Sequence, residues 1–503
     1  MSTFLNGLTN ATNFTRTENG ALTHKSTGTA LLDMFALGGA YRKREVADVI
    51  LLFKNAYDEN PEYALKCLFY LRDIRGGQGE RRFFRICIQW LANYDKDAVK
   101  RNLDKIAEYG RYDDLYCLFS TDLREDALAY IKEILALDVQ SNTPSLLAKW
   151  LPSENASSKV TNAQANIIRK YLGMSHKQYR KTLSILRGRI RVLEKLMSAN
   201  RWDEIEFDKI PSKAGIKYKN AFARRDFTKA RYEAFAKSTD TKVNAKALYP
   251  YEVVAEALKL FRTGYYSTAR MPALDDTNRL MVNKYWDNLA DYFNGSTLNA
   301  LAVVDTSGSM VSSDASAPIN VAISLGLYCA EKAKGPFAGH YVSFASRPQL
   351  IKTEGVDFAD KVYRIYKTNL VDNTNIEATF DLLLNTAIQN RCSQADLPEN
   401  IIIISDMEFD EAQYGWSYRS RTFNTATLME NIESKWNRHG YQMPKLIFWN
   451  VQARQNNIPM TVKDGISFVS GMSPTIFKQI MSGKTAYDLM YEVLNQERYS
   501  AIK

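Results

Sequence analysis

Apolar side chains return every three or four residues over 46–56, 63–72, 82–92, 99–109, 125–136 and 164–171, with short polar joints between the runs. That period marks amphipathic helices and predicts helix after helix from roughly Gly28 to Leu258. Asp58, Asn60 and Pro61 punctuate one joint and Arg75-Gly76-Gly77-Gln78-Gly79 another, both built of residues that favour turns. The runs share no fixed period, so the pattern predicts helical hairpins packed in series as an irregular helical-repeat array. From about Asn299 the rhythm changes. Short β-branched or aromatic runs at 299–305, 340–344, 400–405, 445–450 and 466–469 alternate with amphipathic stretches near 317–334, 374–389, 424–438 and 484–497. Such alternation predicts a mainly parallel, doubly wound α/β sheet covered on both faces, with its ligand crevice at the carboxyl ends of the strands.

A chain of 503 residues is too long for one ordinary core, and 45% hydrophobic with 24% charged residues is a folded composition. The pattern divides it into a polar segment 1–27, an all-α module 28–295 and an α/β domain 296–503. Five scattered cysteines with no C-x-x-C pair read as reduced structural thiols. Residues 1–20 are polar, and no apolar run approaches the roughly 20 residues that span a bilayer. A cytoplasmic protein with no membrane partner is the expectation. The net charge of +10 gains meaning when divided, into +12 over residues 1–300 and −2 over 301–503. Residues 151–250 alone carry 22 basic and 9 acidic side chains, the one-sided footprint expected for a polyanion partner.

Candidate chemistry gathers at strand ends. Leu301-Ala302-Val303-Val304 empties into Asp305-Thr306-Ser307-Gly308-Ser309, a carboxylate and two hydroxyls on alternate residues, and Gly308 allows the turn that brings the serines together. Ile401–Ile404 ends likewise in Ser405-Asp406, and the loop 369–375 presents Asp372 and Thr374 just before a helix. Asp305, Ser307, Ser309, Thr374 and Asp406 thus offer five hard oxygen ligands on one sheet edge, a set that suits octahedral magnesium or manganese with water completing the shell. The plain alternative is capping and turn chemistry, because Ser, Thr and Asp are favoured wherever helices begin. Asp372, Glu408 and Asp410 stand nearby, either as outer partners of the site or as parts of a solvated loop.

Cations form the second constellation. At about 100° per residue, the stretch 176–198 puts Leu183, Leu186, Ile190, Leu193 and Met197 on one face. Lys177, Arg180, Lys181, Arg187, Arg191 and Lys195 line the other, with Glu194 alone to neutralise them. A solvated helix face ordinarily mixes signs, so this one predicts a phosphate-binding surface, weakened by converting Arg187, Arg191 and Lys195 to glutamate. Arg224 and Arg225 continue the basic segment around Tyr218, Phe227 and Tyr232, rings that either stack on unpaired bases or fill a core. Arg75, Arg81 and Arg82 surround the glycine-rich joint. It lacks the G-x-x-x-x-G-K-[ST] pattern of a triphosphate loop, leaving a structural turn with or without an RNA-facing basic rim. The four histidines fall in no metal or triad motif and no general base stands beside the acid pair, so the pattern predicts no enzyme.

The set Asp305-x-Ser307-x-Ser309, Thr374 and Asp406 resembles the metal-ion-dependent adhesion site of the von Willebrand factor A domain family at all five positions. That resemblance implies a doubly wound fold that binds magnesium or manganese and completes its shell with an acidic group from a ligand. Leu71-Arg72-Asp73-Ile74-Arg75-Gly76-Gly77-Gln78-Gly79-Glu80-Arg81-Arg82, followed by Glu108-Tyr109-Gly110-Arg111-Tyr112-Asp113-Asp114-Leu115, resembles the HEAT-like helical module of the Ro autoantigen, or TROVE, family. In that family a ring of helical repeats is closed by a C-terminal von Willebrand A domain. The resemblance implies a non-catalytic ribonucleoprotein component that binds single-stranded ends or small structured RNA. The competing expectation is a metal-dependent protein-interaction scaffold, or an assembly or virion component, with no RNA role.

Overall fold

The computed structural model describes residues 12–245, 248–262, 270–293, 299–312, 317–344, 347–368, 375–411, 426–480 and 484–503. They fold into two compact units, one drawn from Met1–Cys67 and Leu248–Gln496 and the other from Leu68–Ala247 and Glu497–Lys503. These units differ from the segments 1–27, 28–295 and 296–503 of the hydropathy pattern. Helices Ala30–Leu37, Val46–Glu59, Pro250–Phe261 and Thr277–Asp287 carry the same apolar stripe as the rest of the array, yet they belong to the unit that holds the sheet.

In that first unit an antiparallel hairpin, β1 (Phe14–Arg16) and β2 (Leu22–His24), precedes a six-stranded sheet. Its strands are β3 (Ala300–Asp305), β4 (His340–Phe344), β5 (Gln349–Lys352), β6 (Asn400–Ser405), β7 (Lys445–Asn450) and β8 (Ile466–Ser470), in the order β5-β4-β3-β6-β7-β8. Every pairing is parallel except that of β5, an antiparallel edge strand. All residues of β3 and β6 are buried, as central parallel strands covered on both faces must be, which is why they read as unbroken apolar runs. From β3 the chain steps one way to β4 and β5; from β6 it steps the other way to β7 and β8. The order therefore reverses between β3 and β6, and their adjacent carboxyl ends form the switch point at which doubly wound sheets open a crevice. Helix Pro318–Lys332 packs on β3 and β4 with Gly326 at the contact, where a Cβ would come within 2.4 Å of the Val304 side chain.

The hairpin is fastened to loops far away in sequence. Gly20 bridges to Asp410 and His24 to Ile458, and the Thr17 hydroxyl donates to the Phe409 carbonyl at 2.7 Å. His24 also meets Glu430, near the start of helix Leu428–Arg438. Burial works to raise the Glu430 carboxyl, but His24 and the Thr427 and Thr461 N–H groups outweigh it and hold it down at about 2. A carboxylate depressed in this way stabilises the fold above its ordinary range near 4.5, and that contribution is lost as pH falls from there toward 2. His24→Gln is therefore expected to move acid unfolding to higher pH; an unchanged acid midpoint by circular dichroism would exclude this linkage.

The second unit is helical, from Arg81–Tyr94 through Asp226–Lys237, with a 3-10 segment at Tyr112–Ser120. Two stretches with one continuous apolar period are broken. Asn102 divides Lys96–Arg101 from Leu103–Tyr109, and its Nδ2 donates back to the Ala98 carbonyl. The stretch 176–198 splits into His176–Arg189 and Leu193–Ser198, with Arg191 at φ +49° between them. At the glycine-rich joint, a Cβ on Gly77 would lie 1.9 Å from the Tyr70 carbonyl oxygen, and Gly79 sits at φ +70°. Beneath it, Arg72 is buried against the fully buried Asp114 through Nε at 2.8 Å and Nη2 at 2.6 Å. A Cβ on Gly110 would stand 2.4 Å from that Asp114 oxygen, so the glycine makes room for the pair. Residues 497–503 complete the unit: Arg498 Nη2 donates to Asp73 at 2.7 Å, and Tyr499 stacks on Tyr109. No helix among the described residues is long and apolar enough to cross a membrane.

Candidate functional site

Asp305 closes β3 and Asp406 follows β6, so parallel pairing alone delivers two buried carboxylates to neighbouring strand ends. Asp305 accepts the Ser307 N–H at 2.9 Å on Oδ1 and the Ser405 hydroxyl at 2.6 Å on Oδ2. The first of these is an Asx turn, which folds the chain back and sets the Ser307 and Ser309 hydroxyls 3.0 Å apart. Asp406 accepts the Glu408 N–H at 3.2 Å on Oδ1, whereas its buried Oδ2 has no hydrogen-bond donor among the described residues. Burial, then the charge of Asp406, push the Asp305 carboxyl up; burial likewise raises Asp406 against the pull of Arg454. Two dehydrated carboxylates beside paired hydroxyls form a donor set for a hard cation. No three His, Cys, Asp or Glu side chains among the described residues converge as a metal cluster, so a cation here depends on the serines. Thr374, and Asp372 beside it, lie outside the described residues.

Sequence reasoning missed two members of this neighbourhood. Arg454, in the loop after β7, stands with Nε 3.6 Å from Asp406 Oδ2, donates to the Ser309 carbonyl, and pairs with Glu18 at 3.0 Å. It lies beyond a third strand end on the same edge, a signal the topology carried. Glu18 comes from the β1–β2 turn, and no local pattern announces it. Its N–H donates at 2.7 Å to Glu408, a wholly buried side chain and no part of a solvated loop. Met407, between the two acids, is held at φ +63°, a conformation that costs a non-glycine residue about 1–3 kcal/mol.

The basic segment separates into clamps and free cations. Arg187, expected on the phosphate-binding face, instead ties down the chain at 148–153: it donates to the Ala148 and Leu151 carbonyls at 2.8 and 2.7 Å and to the Ser153 hydroxyl at 3.0 Å. Lys195 donates to Ser184 at 2.6 Å, and the break before Leu193 takes Arg191 and Lys195 off the face of the preceding helix. Substituting Arg187 would therefore test the fold before it tested a ligand. Lys177, Arg180 and Lys181 remain exposed on helix His176–Arg189, with no ion pair or hydrogen bond from their side chains among the described residues. Arg224 is exposed, and Arg225 lies over the Trp202 ring at 4.6 Å. Tyr232 is core, packed on Phe207 and Phe222, while Phe227 is exposed. Around the glycine-rich turn Arg75 caps the Glu108 carbonyl, and Arg81 and Arg82 are exposed at the start of helix Arg81–Tyr94.

The chain is similar to several known proteins and families. Residues 299–501, the span of the sheet, match a family model described as "Domain of unknown function (DUF7788)". The uncharacterized protein L728 of Acanthamoeba polyphaga mimivirus is 29% identical over 516 residues, covering 94% of this chain and 85% of that protein. Among solved structures, the Deinococcus radiodurans RO (RSR) protein superposes with a TM-score of 0.40 at 13% identity, over 91% of this chain and 100% of that one. Residues 17–115 and 138–296, more than half of the chain, match a model described as "Domain of unknown function (DUF2828)", and the chain belongs to that family.

Proposed function

We propose that the protein binds RNA without acting on it chemically, and that the cations of the helical unit hold the phosphates. The observation that carries this reading is the set Lys177, Arg180 and Lys181. Three like charges at i, i+3 and i+4 repel one another, and no acidic partner among the described residues relieves them. A phosphate backbone supplies the missing counter-charge and releases its own counterions on binding. The excess of basic residues over 151–250 and the resemblance of the 71–82 and 108–115 motifs to the Ro family support the same reading. Changing Lys177, Arg180 and Lys181 together to glutamate is expected to lower affinity for a single-stranded oligoribonucleotide at least tenfold. It should also flatten the log K against log salt slope by about 2 units. Wild-type affinity and slope in that variant, measured by fluorescence anisotropy, would refute it.

The sheet unit, on the same proposal, holds magnesium or manganese through Asp305, Ser307, Ser309 and Asp406. What supports this is the chemistry of the donors, two buried carboxylates, one with an oxygen that takes no hydrogen bond among the described residues and has only the Arg454 charge at 3.6 Å. Such an ion would neutralise the pair and offer a coordination position to an anionic ligand. Metal-dependent capture of an acidic side chain on a protein partner rests on the same carboxylates. Association that EDTA abolishes and ribonuclease leaves intact would favour that scaffold reading over RNA binding.

A further inference from the structure

A cleft of about 440 Å³ opens in the helical unit among helix Arg81–Tyr94, the Tyr112–Ser120 segment and helices Leu147–Trp150 and Lys159–Tyr171. That volume falls in the range of small-ligand sites. Its walls bring together aromatic rings, hydrogen-bonding side chains and the paired charges of Arg85 and Asp113. Trp150 and Tyr116 supply aromatic surface, locked together because the Tyr116 hydroxyl donates to the Trp150 carbonyl at 2.9 Å. The Arg111 guanidinium lies 3.9 Å from the Trp150 ring centroid and is itself fixed by two bonds to Asp113 at 2.8 and 2.6 Å. Hydrogen-bonding side chains come next. Gln164 and Thr161 line the cleft with no side-chain hydrogen bond among the described residues, and Gln89 spends one amide proton on Ser120. The third kind is cationic. Arg85 lines the cleft but is paired with Asp113 and Asp114, whereas Arg81, one turn before it on the same helix face, is exposed and makes no ion pair or hydrogen bond among the described residues.

We infer that this cleft receives one unpaired nucleotide of a bound RNA strand, its base against Trp150 and Tyr116, its edge read by Gln164, Thr161 and Gln89, and its phosphate on Arg81. Aromatic surface, amide edges and a guanidinium free to take a phosphate match the face of a base, its edge and the phosphate attached to it, and stacking tolerates every base while the amides discriminate. The inference rests on the RNA reading above and adds a base-recognition element to the phosphate contacts proposed for Lys177, Arg180 and Lys181.

Full-length Trp150→Ala and Arg81→Ala are each expected to weaken binding of unstructured ten-nucleotide homopolymers about tenfold. Trp150→Phe, which keeps a ring, should retain most of the affinity and guard against a folding defect. Gln164→Ala should change the order of preference among the four homopolymers while leaving the salt slope as it was. If the cleft variants bind every homopolymer like wild type while the Lys177/Arg180/Lys181 variant loses RNA, the cleft is no subsite and the RNA reading stands. If wild type binds none of the homopolymers at low salt, both fail together. Titration with AMP, GMP, CMP and UMP separates the two sources of the same chemistry. A mononucleotide bound more tightly than any homopolymer, through Trp150 and Arg81, would assign the cleft to free nucleotides and overturn its place on a strand.

Discussion

Asp114→Ala is expected to lower the stability of the helical unit by about 3–5 kcal/mol, the cost of stranding a buried charge. Asp114 is wholly enclosed and accepts from Arg72 Nε and Nη2, from Arg85 Nε at 2.6 Å and from the Arg111 N–H at 2.9 Å. Removing it leaves the Arg72 guanidinium, only 2% exposed, with neither water nor a counter-charge. The loss should appear as earlier unfolding in urea, followed by circular dichroism. Because most of the penalty is desolvation of the survivor, the pair Arg72→Met with Asp114→Leu should recover much of what the single change loses. A single variant that costs less than about 1 kcal/mol, in the range of a surface ion pair, would show that the glycine-rich turn and the Glu108–Leu115 motif are held by something else.

Magnesium or manganese should raise the stability of the wild-type protein by about 2.7 kcal/mol at a concentration a hundredfold above its dissociation constant. Asp406→Asn should remove that response. The two effects of this substitution separate cleanly. Without metal, the amide relieves Asp305 of a neighbouring charge but gives up the pairing with Arg454, so the variant should stay close to wild type in stability. With metal, it lacks the charge that holds the ion. A site used only for turns and caps gives no response to either cation in wild type or variant, because the amide oxygen of the variant still accepts the Glu408 N–H. Differential scanning fluorimetry with and without EDTA distinguishes them.

The central strands and many of the helices were legible in the chain, whereas β1, β2, β5 and helix Phe358–Thr368 were not, and the partners of an element often were not. The apolar runs of β3 and β6 follow from burial on both faces, so local sequence placed the strand ends and with them Asp305 and Asp406. The period over 176–198 runs on through the break between His176–Arg189 and Leu193–Ser198, and helical spacing carries no trace of the contacts that Arg187 makes to carbonyls nearly 40 residues earlier. Charge sign likewise cannot tell Arg187, a clamp, from Lys177, free among the described residues, since only the fold decides which carbonyls lie in reach. The three-residue strands β1 and β2 are too short for alternation to register, and their bonds to the chain around 409 and 458 span almost the whole sequence. Hence Glu18 was invisible beside the candidate metal site, and Arg454 was found only once the strand order was known.

The sheet unit takes residues from both sides of the helical one, and the helical unit in turn needs residues 497–503. This has a consequence for synthesis on the ribosome. Residues up to Cys67 must wait while more than four hundred further residues are made before β8 exists to receive helix Ala30–Leu37. At about 5–20 residues per second the delay is roughly 20 to 90 seconds. Throughout it the apolar face of that early helix has no sheet to cover it, so the nascent chain should be a client of holding chaperones. Cutting the gene near codon 296 parts helices Ala30–Leu37 and Pro250–Phe261 from the sheet with which they share a unit, so each fragment is expected to be less soluble than the whole chain.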